Sequence, residues 1–124
     1  NYSSNQALFT LASAITMSVY GKQGIQDLAQ RNITNTHYLS SELAKNGFKL
    51  LNSAPYFNEF IVQFNRPVKE VNKQLLAKGF VGGYDASEAF GEENVALICV
   101  TEKRTKQEMD AFIEALKEVA LHVK

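Results

Sequence analysis

Val95-Ala96-Leu97-Ile98-Cys99-Val100-Thr101-Glu102-Lys103-Arg104-Thr105 decides the fold class of this chain, because one segment ends there and a different one begins. Val95 to Val100 is an apolar run too short for a helix and rich in β-branched residues, so it reads as a buried strand. Cys99, inside that run, is expected as a small buried hydrophobe rather than a nucleophile. Thr105 and Glu108 have the spacing of a capping box. After them Met109, Phe112, Ile113, Leu116, Ala120 and Val123 recur at three and four residues, which places them on one helical face. A buried strand followed by an amphipathic helix implies a helix packed on a sheet.

Upstream the same logic gives the remaining elements. Ser3 or Ser4 can cap a first helix with Leu8, Leu11, Ala12, Ile15 and Val19 on one face, interrupted between Gly21 and Gly24. A second helix carries Ile25, Leu28, Ala29, Thr36, Leu39 and Leu43 and ends at Asn46-Gly47. The period then changes. Phe48 to Leu51 reads as a short strand, Ser53-Ala54-Pro55 as a turn, and Phe60 to Phe64 as a second strand. Pro67 suits the first turn of a third helix with Val68, Val71, Leu75 and Leu76 inward and Gly79 past its end. A glycine-rich loop, residues 79–85, leads on toward Val95. The resulting order is α-α-β-β-α-β-α: an α+β layer with a three-stranded, mainly antiparallel sheet and helices on one face, the third helix permitting a right-handed crossover. Residues 1–46 form a helical segment and 47–124 the α+β unit, together one structural unit. The first two helices belong less obviously to the layer, so their apolar surface is expected to meet a partner.

The 124 residues and 45% apolar content suit one domain with one core. Thirteen basic residues balance thirteen acidic ones with no basic stripe, which argues against a nucleic-acid partner. No apolar run approaches the ~20 residues needed to span a bilayer, and no secretory leader pattern opens the chain. One cysteine makes no internal disulfide, in keeping with a reducing cytoplasm. The start at Asn1 rather than methionine reads as a piece of a longer chain.

Taken alone, the polar residues assemble no catalytic constellation. His37 and His122 lack the spacing of a metal pair, and His122 suits a helix C-terminus. Gly79, Gly82 and Gly83 do not open a helix after a strand, so a loop needing positive φ accounts for them better than a phosphate cradle. Asn58 and Glu59 start a strand, where a sheet-end position and a ligand contact are both open. Tyr84 and Asp85 lie on a loop, the usual place for presented functional groups. Thr101, Glu102 and Arg104 emerge from the C-terminal end of a strand, as a solvated turn or as part of a site.

Leu97 to Lys106 closely resembles the C-terminal signature of the glycine dehydrogenase (decarboxylating) subunit 1 family, the α subunit of the two-chain P-protein of the glycine cleavage system. Ser4-Asn5-Gln6-Ala7-Leu8, Phe57-Asn58-Glu59-Phe60 and Gly82-Gly83-Tyr84-Asp85 are similar to three further family segments in the same order. Ser4 stands in place of a threonine, and Lys22 in place of a common proline. The resemblance implies the small C-terminal domain of a fold-type I pyridoxal-phosphate enzyme, with a large N-terminal domain preceding it. It implies a parent that decarboxylates glycine on pyridoxal phosphate and passes the aminomethyl group to lipoylated H-protein. It places the cofactor lysine on subunit 2, so neither Lys103 nor Lys106 is assigned to catalysis, and no cofactor or metal is assigned to this fragment. Asn58, Glu59, Tyr84, Asp85, Thr101, Glu102 and Arg104 remain candidates for substrate or interface proximity. Arg104 stands nearest to the arginine with which other enzymes of this fold type bind a substrate carboxylate, with an exposed charge at the helix start as the other reading. Two alternatives stay open: a free-standing α+β ligand-binding or dimerisation module, and the small domain of another such enzyme, for example an aminotransferase.

Overall fold

The computed structural model describes residues 6–121. Ser3, Ser4, His122 and Val123, with the capping and packing roles expected of them, lie outside the described residues. The order is α1 (Ala7–Lys45), β1 (Lys49–Leu50), β2 (Glu59–Gln63), α2 (Val68–Ala77), β3 (Tyr84–Asp85), α3 (Ser87–Phe90), β4 (Val95–Cys99) and α4 (Lys106–Ala120). The sheet runs β1-β2-β4-β3 with every neighbouring pair antiparallel. Its backbone is the β2–β4 ladder, from Glu59 opposite Cys99 to Gln63 opposite Val95.

Alternation along these strands puts Phe60, Val62, Ala96 and Ile98 on one face, where they meet Leu39 and Leu43 of α1, Val71 and Leu75 of α2, and Ile113 and Leu116 of α4 in a single core. Local signals end the helices where expected. Thr105 Oγ1 accepts from Glu108 N at 3.2 Å while Glu108 Oε2 accepts from Thr105 N at 2.8 Å, the complete capping box. After α1, Phe48 N donates to Leu43 O and Gly47 N to Ala44 O, both at 3.1 Å, the paired bonds of a Schellman ending. The same pair follows α2, from Phe80 N to Leu75 O and from Gly79 N to Leu76 O.

Polar residues of α1 fasten the turn after β4. Asn35 Nδ2 donates to the carbonyls of Thr101 and Arg104, each at 3.0 Å. Thr36 Oγ1 donates to Val100 O at 3.3 Å, and Asn32 Oδ1 accepts from Glu102 N at 3.2 Å. Tyr38 bonds Asp110, which also pairs with Lys106 at 2.6 Å, so α1 is tied to the first turn of α4 as well.

The structure corrects the sequence reading in several places. The sheet has four strands rather than three, because Tyr84 and Asp85, read as loop, pair with Leu97 and Ala96 at the edge of β4. Two residues carry too little periodicity to be seen in sequence. The order therefore departs from α-α-β-β-α-β-α, and the short α3 is added. The crossover through α2 joins β2 to β3, which run parallel with β4 between them. The two N-terminal helices are separated as expected, with the interruption narrowed to Gly21, at φ 65° and ψ −177°, a conformation open only to glycine. Leu76 is exposed rather than inward. Cys99 is exposed as well, because Val95, Leu97 and Cys99 alternate onto the sheet face opposite the main core, where only Val95 is fully covered.

Phe60→Ala, at a fully buried position, should cost about 3–5 kcal/mol by chemical denaturation, while Phe57→Ala, at an exposed one, should stay within about 0.5 kcal/mol. Asn35→Ala should cost roughly 1–3 kcal/mol in the same assay, since the Arg104 carbonyl loses the Asn35 amide and the Thr101 carbonyl keeps only Arg104 N, at 3.2 Å. The backbone bond from Thr105, aided by Arg104, holds the Glu108 carboxyl below its ordinary value. A depressed carboxylate stabilises the fold above its unfolded-state pKa and loses that contribution as pH falls through the folded-state one. Glu108→Gln should accordingly flatten the acid limb of a melting-temperature profile, and an unchanged limb would refute the assignment.

Candidate functional site

β4 carries the candidate residues to one end of the sheet, and the loop between α2 and β3 meets them there. Glu59, opposite Cys99 in the β2–β4 register, and Arg104, at the start of α4, line an open cavity of about 550 Å³ with Tyr84 of β3. Its floor is apolar, built from Phe80, Met109 and Phe112, with the Phe80 and Phe112 rings edge to face at 5.7 Å between centroids. Tyr84 is 71% exposed and Val81 beside it 88% exposed.

Arg104 Nη1 lies 3.7 Å from Glu108 Oε1, a pair half open to solvent. Glu59 is exposed and has no ion-pair partner among the described residues. Burial, reinforced by the nearby Glu59 charge, pushes the Cys99 thiol up, which disfavours the thiolate and with it a nucleophilic role.

The other candidates have structural engagements. Asn58 accepts Val100 N through its carbonyl at 2.9 Å and directs its side-chain amide toward Cys99 Sγ at 3.8 Å. Asp85 accepts from Ser87 Oγ at 2.6 Å and from Ser87 N at 3.1 Å, and the hydroxyl bond holds its carboxyl below the ordinary range. Thr101 and Glu102 sit in the turn that α1 grips through the backbone. Glu59, Tyr84 and Arg104 are thus brought together, Asn58 borders them, and Asp85, Thr101 and Glu102 shape the backbone nearby. His37 is exposed and stacks on Tyr56 at 4.8 Å. Asn32, Asn35 and Asn72 escaped sequence reasoning. Asn72 Nδ2 donates to Gly83 O at 2.7 Å and so fixes the glycine pair that precedes Tyr84. Nothing local distinguishes these asparagines from solvated helix residues.

Known proteins match both the sequence and the fold. Residues 1–116 match the family described as glycine cleavage system P-protein. A probable glycine dehydrogenase (decarboxylating) subunit 1 of Geobacillus sp. (strain WCH70) is 47% identical over 117 residues, covering 94% of this chain and 26% of that protein. The protein of the same description from Staphylococcus haemolyticus (strain JCSC1435) is 48% identical over 120 residues, covering 96% and 26%. The chain therefore spans about a quarter of the length of the curated relatives it matches. Among solved structures, a glycine decarboxylase (P-protein) of the glycine cleavage system in inhibitor-bound form superposes with a TM-score of 0.84 at 28% identity, over 94% of this chain and 27% of the other. A NifS-like protein from Rickettsia africae shares the fold, with a TM-score of 0.70 at 18% identity over 90% of this chain and 32% of the other. The match of residues 1–116 to the family model and of nearly the whole chain to its relatives places this chain in the glycine cleavage system P-protein family.

Proposed function

We propose that this chain is the small C-terminal domain of subunit 1 of a two-chain glycine decarboxylase, and that it serves assembly and closure of that enzyme rather than bond-making. The observation that carries the reading is the N-terminal arm of α1. From Ala7 to Tyr20 the helix has no charged residue, yet it stands in solvent, with Leu8 74% and Val19 79% exposed and Phe9, Leu11, Ile15, Met17 and Tyr20 open as well. These positions spread over more of the helix than one stripe, among Thr10, Ser13, Thr16 and Ser18, and so wide an exposed apolar surface calls for a cover. Each such side chain gains roughly 1.5–3 kcal/mol when fully covered. Since the relatives are much longer than this chain, a large domain preceding residues 1–46 in the same polypeptide is the proposed cover. No described helix is long and apolar enough to cross a bilayer.

The proposed parent decarboxylates glycine and passes the aminomethyl group to lipoylated H-protein, with pyridoxal phosphate supplying the electron sink. The described residues do not fit that cofactor. No lysine borders the cavity, and Lys106 is held protonated by Asp110 and the Tyr38 ring, its pKa raised well above the ordinary lysine value. The loop of Gly79, Gly82 and Gly83 runs into a strand instead of opening a helix, so it offers no helix N-terminus to a phosphate. Subunit 2 is therefore the proposed holder of the cofactor, and no step of the reaction is routed through this chain. Tyr84 and Val81, exposed beside the cavity, lie on the side proposed to face a domain or subunit junction. A cytoplasmic enzyme without nucleic-acid or membrane partners suits the balanced charge and the unpaired thiol.

The test combines the full-length parent subunit with its subunit 2, pyridoxal phosphate and lipoylated H-protein, and follows glycine-dependent release of carbon dioxide. Leu11→Glu together with Ile15→Glu should lower the rate more than about tenfold, because even ~1.4 kcal/mol of lost docking energy is a factor of ten. Size-exclusion chromatography should show less complex in parallel. Full activity and full assembly with both glutamates in place would overturn the reading.

A further inference from the structure

β3 ends early for a physical reason, and its ending makes the cavity. Even-numbered residues of β4 turn their backbone groups toward β2, as the bonds from Val100 N to Asn58 O and from Phe64 N to Asn94 O establish, both at 2.9 Å. Odd-numbered residues therefore face the β3 side. There Val95 O accepts from Ala86 N and Val95 N donates to Ser87 Oγ, while Leu97 stands opposite Tyr84. Cys99 is next in line. Continuing the register would set Gly82 against it, but Asn72 of α2 takes the Gly83 carbonyl. Gly82 lies so close to Asn72 that a β-carbon there would be 2.0 Å from Oδ1. The loop is drawn to α2, and the N–H and C=O of Cys99 have no backbone partner among the described residues at the wall of the cavity.

The charges around this gap are unequal. Arg104 and Glu108 oppose each other at 3.7 Å, and Glu108 also serves the Thr105 cap at 2.8 Å. Glu59 has no ion-pair partner among the described residues, and it lies directly across the ladder from Cys99 in a pair without mutual backbone bonds, where side chains approach most closely. The cavity is lined at once by Glu59, whose carboxylate has no ion-pair partner among the described residues, by Cys99, and by the rings of Phe80 and Phe112. Its volume of about 550 Å³ falls within the range of small-molecule sites.

We propose that this cavity binds a small primary amine carried on an apolar body, the ammonium received by the Glu59 carboxylate and the Cys99 carbonyl, and the body lying on Phe80, Met109 and Phe112. A carboxylate head in the same place meets Glu59 and is repelled. A neutral head keeps the apolar contact and loses the charge-assisted bond. The site stands independently of the subunit assignment, since it rests on residues of this chain alone.

Cys99 itself reports occupancy. The full-length subunit is treated with iodoacetamide at pH 8.5, and alkylation of the Cys99 peptide is followed by mass spectrometry with phenethylamine, phenethyl alcohol or 3-phenylpropionate present. A fragment of this size binds in the ~1 mM range, so 10 mM phenethylamine should slow alkylation roughly tenfold. The alcohol should protect less and the carboxylate least. In Glu59→Gln, the ratio of protected to unprotected rate should become the same for amine and alcohol. Equal protection by all three compounds, protection by none, or an amine preference that survives Glu59→Gln would overturn the proposal. So would a Cys99 shielded in the full-length subunit with no compound added, because the cavity is then filled by the protein.

Discussion

The side-chain amide of Asn35 donates to the carbonyls of Thr101 and Arg104 at once, and with Asn32 and Thr36 it holds the turn between β4 and α4 against α1. Strand and helix directions on both sides of that turn follow from it. β4 is the strand on which β2 and β3 both pair, and α4 closes the core over its inner face. A turn free to swing would misplace Arg104 and Glu108 relative to Glu59, although none of these three touches α1 through a side-chain bond. The backbone groups concerned lie at the end of a buried strand, where an unmet carbonyl is costly, so the asparagines both satisfy the chain and aim it.

The same helix has two unlike halves. Beyond Gly21, its C-terminal part supplies Leu39 and Leu43 to the core and the asparagines to the turn, with Thr36 and Ser40 buried as well. Before Gly21 it is apolar and bare. The positive φ at that glycine lets the arm leave in a direction set by neither the sheet nor the other helices. One element is thus both a wall of this domain and, by the reading proposed, the means by which the domain is attached.

Competition for backbone groups explains the cavity. The free edge of β4 can pair with more chain than it does, yet the Asn72 amide and the lack of side chains at Gly82 and Gly83 favour a path along α2. A β-carbon at Gly83 would lie 2.7 Å from Leu97 O, so the close approach itself depends on glycine. Glu108 adds a second economy of parts: it caps α4 and offsets Arg104, which leaves Glu59 facing the gap with no counterion among the described residues.

Features held by neighbours in sequence were legible in it. The capping box at Thr105, the helix endings at Gly47 and Gly79, the break at Gly21 and the inward faces of α2 and α4, apart from Leu76, all depend on residues within about a turn of each other. The family was legible too, in four ordered motifs spread along the chain. What depended on partners 66 to 70 positions away was not: the grip of Asn32 and Asn35 on the turn looks in sequence like any polar helix surface. Nor was the fourth strand, which exists because β4 has an edge to offer and not because Tyr84-Asp85 prefers to be extended. Cys99 shows the division in one residue. Its sequence determines that it lies in a strand, but only the packing of helices on one side of the sheet decides that it faces the cavity and not the core.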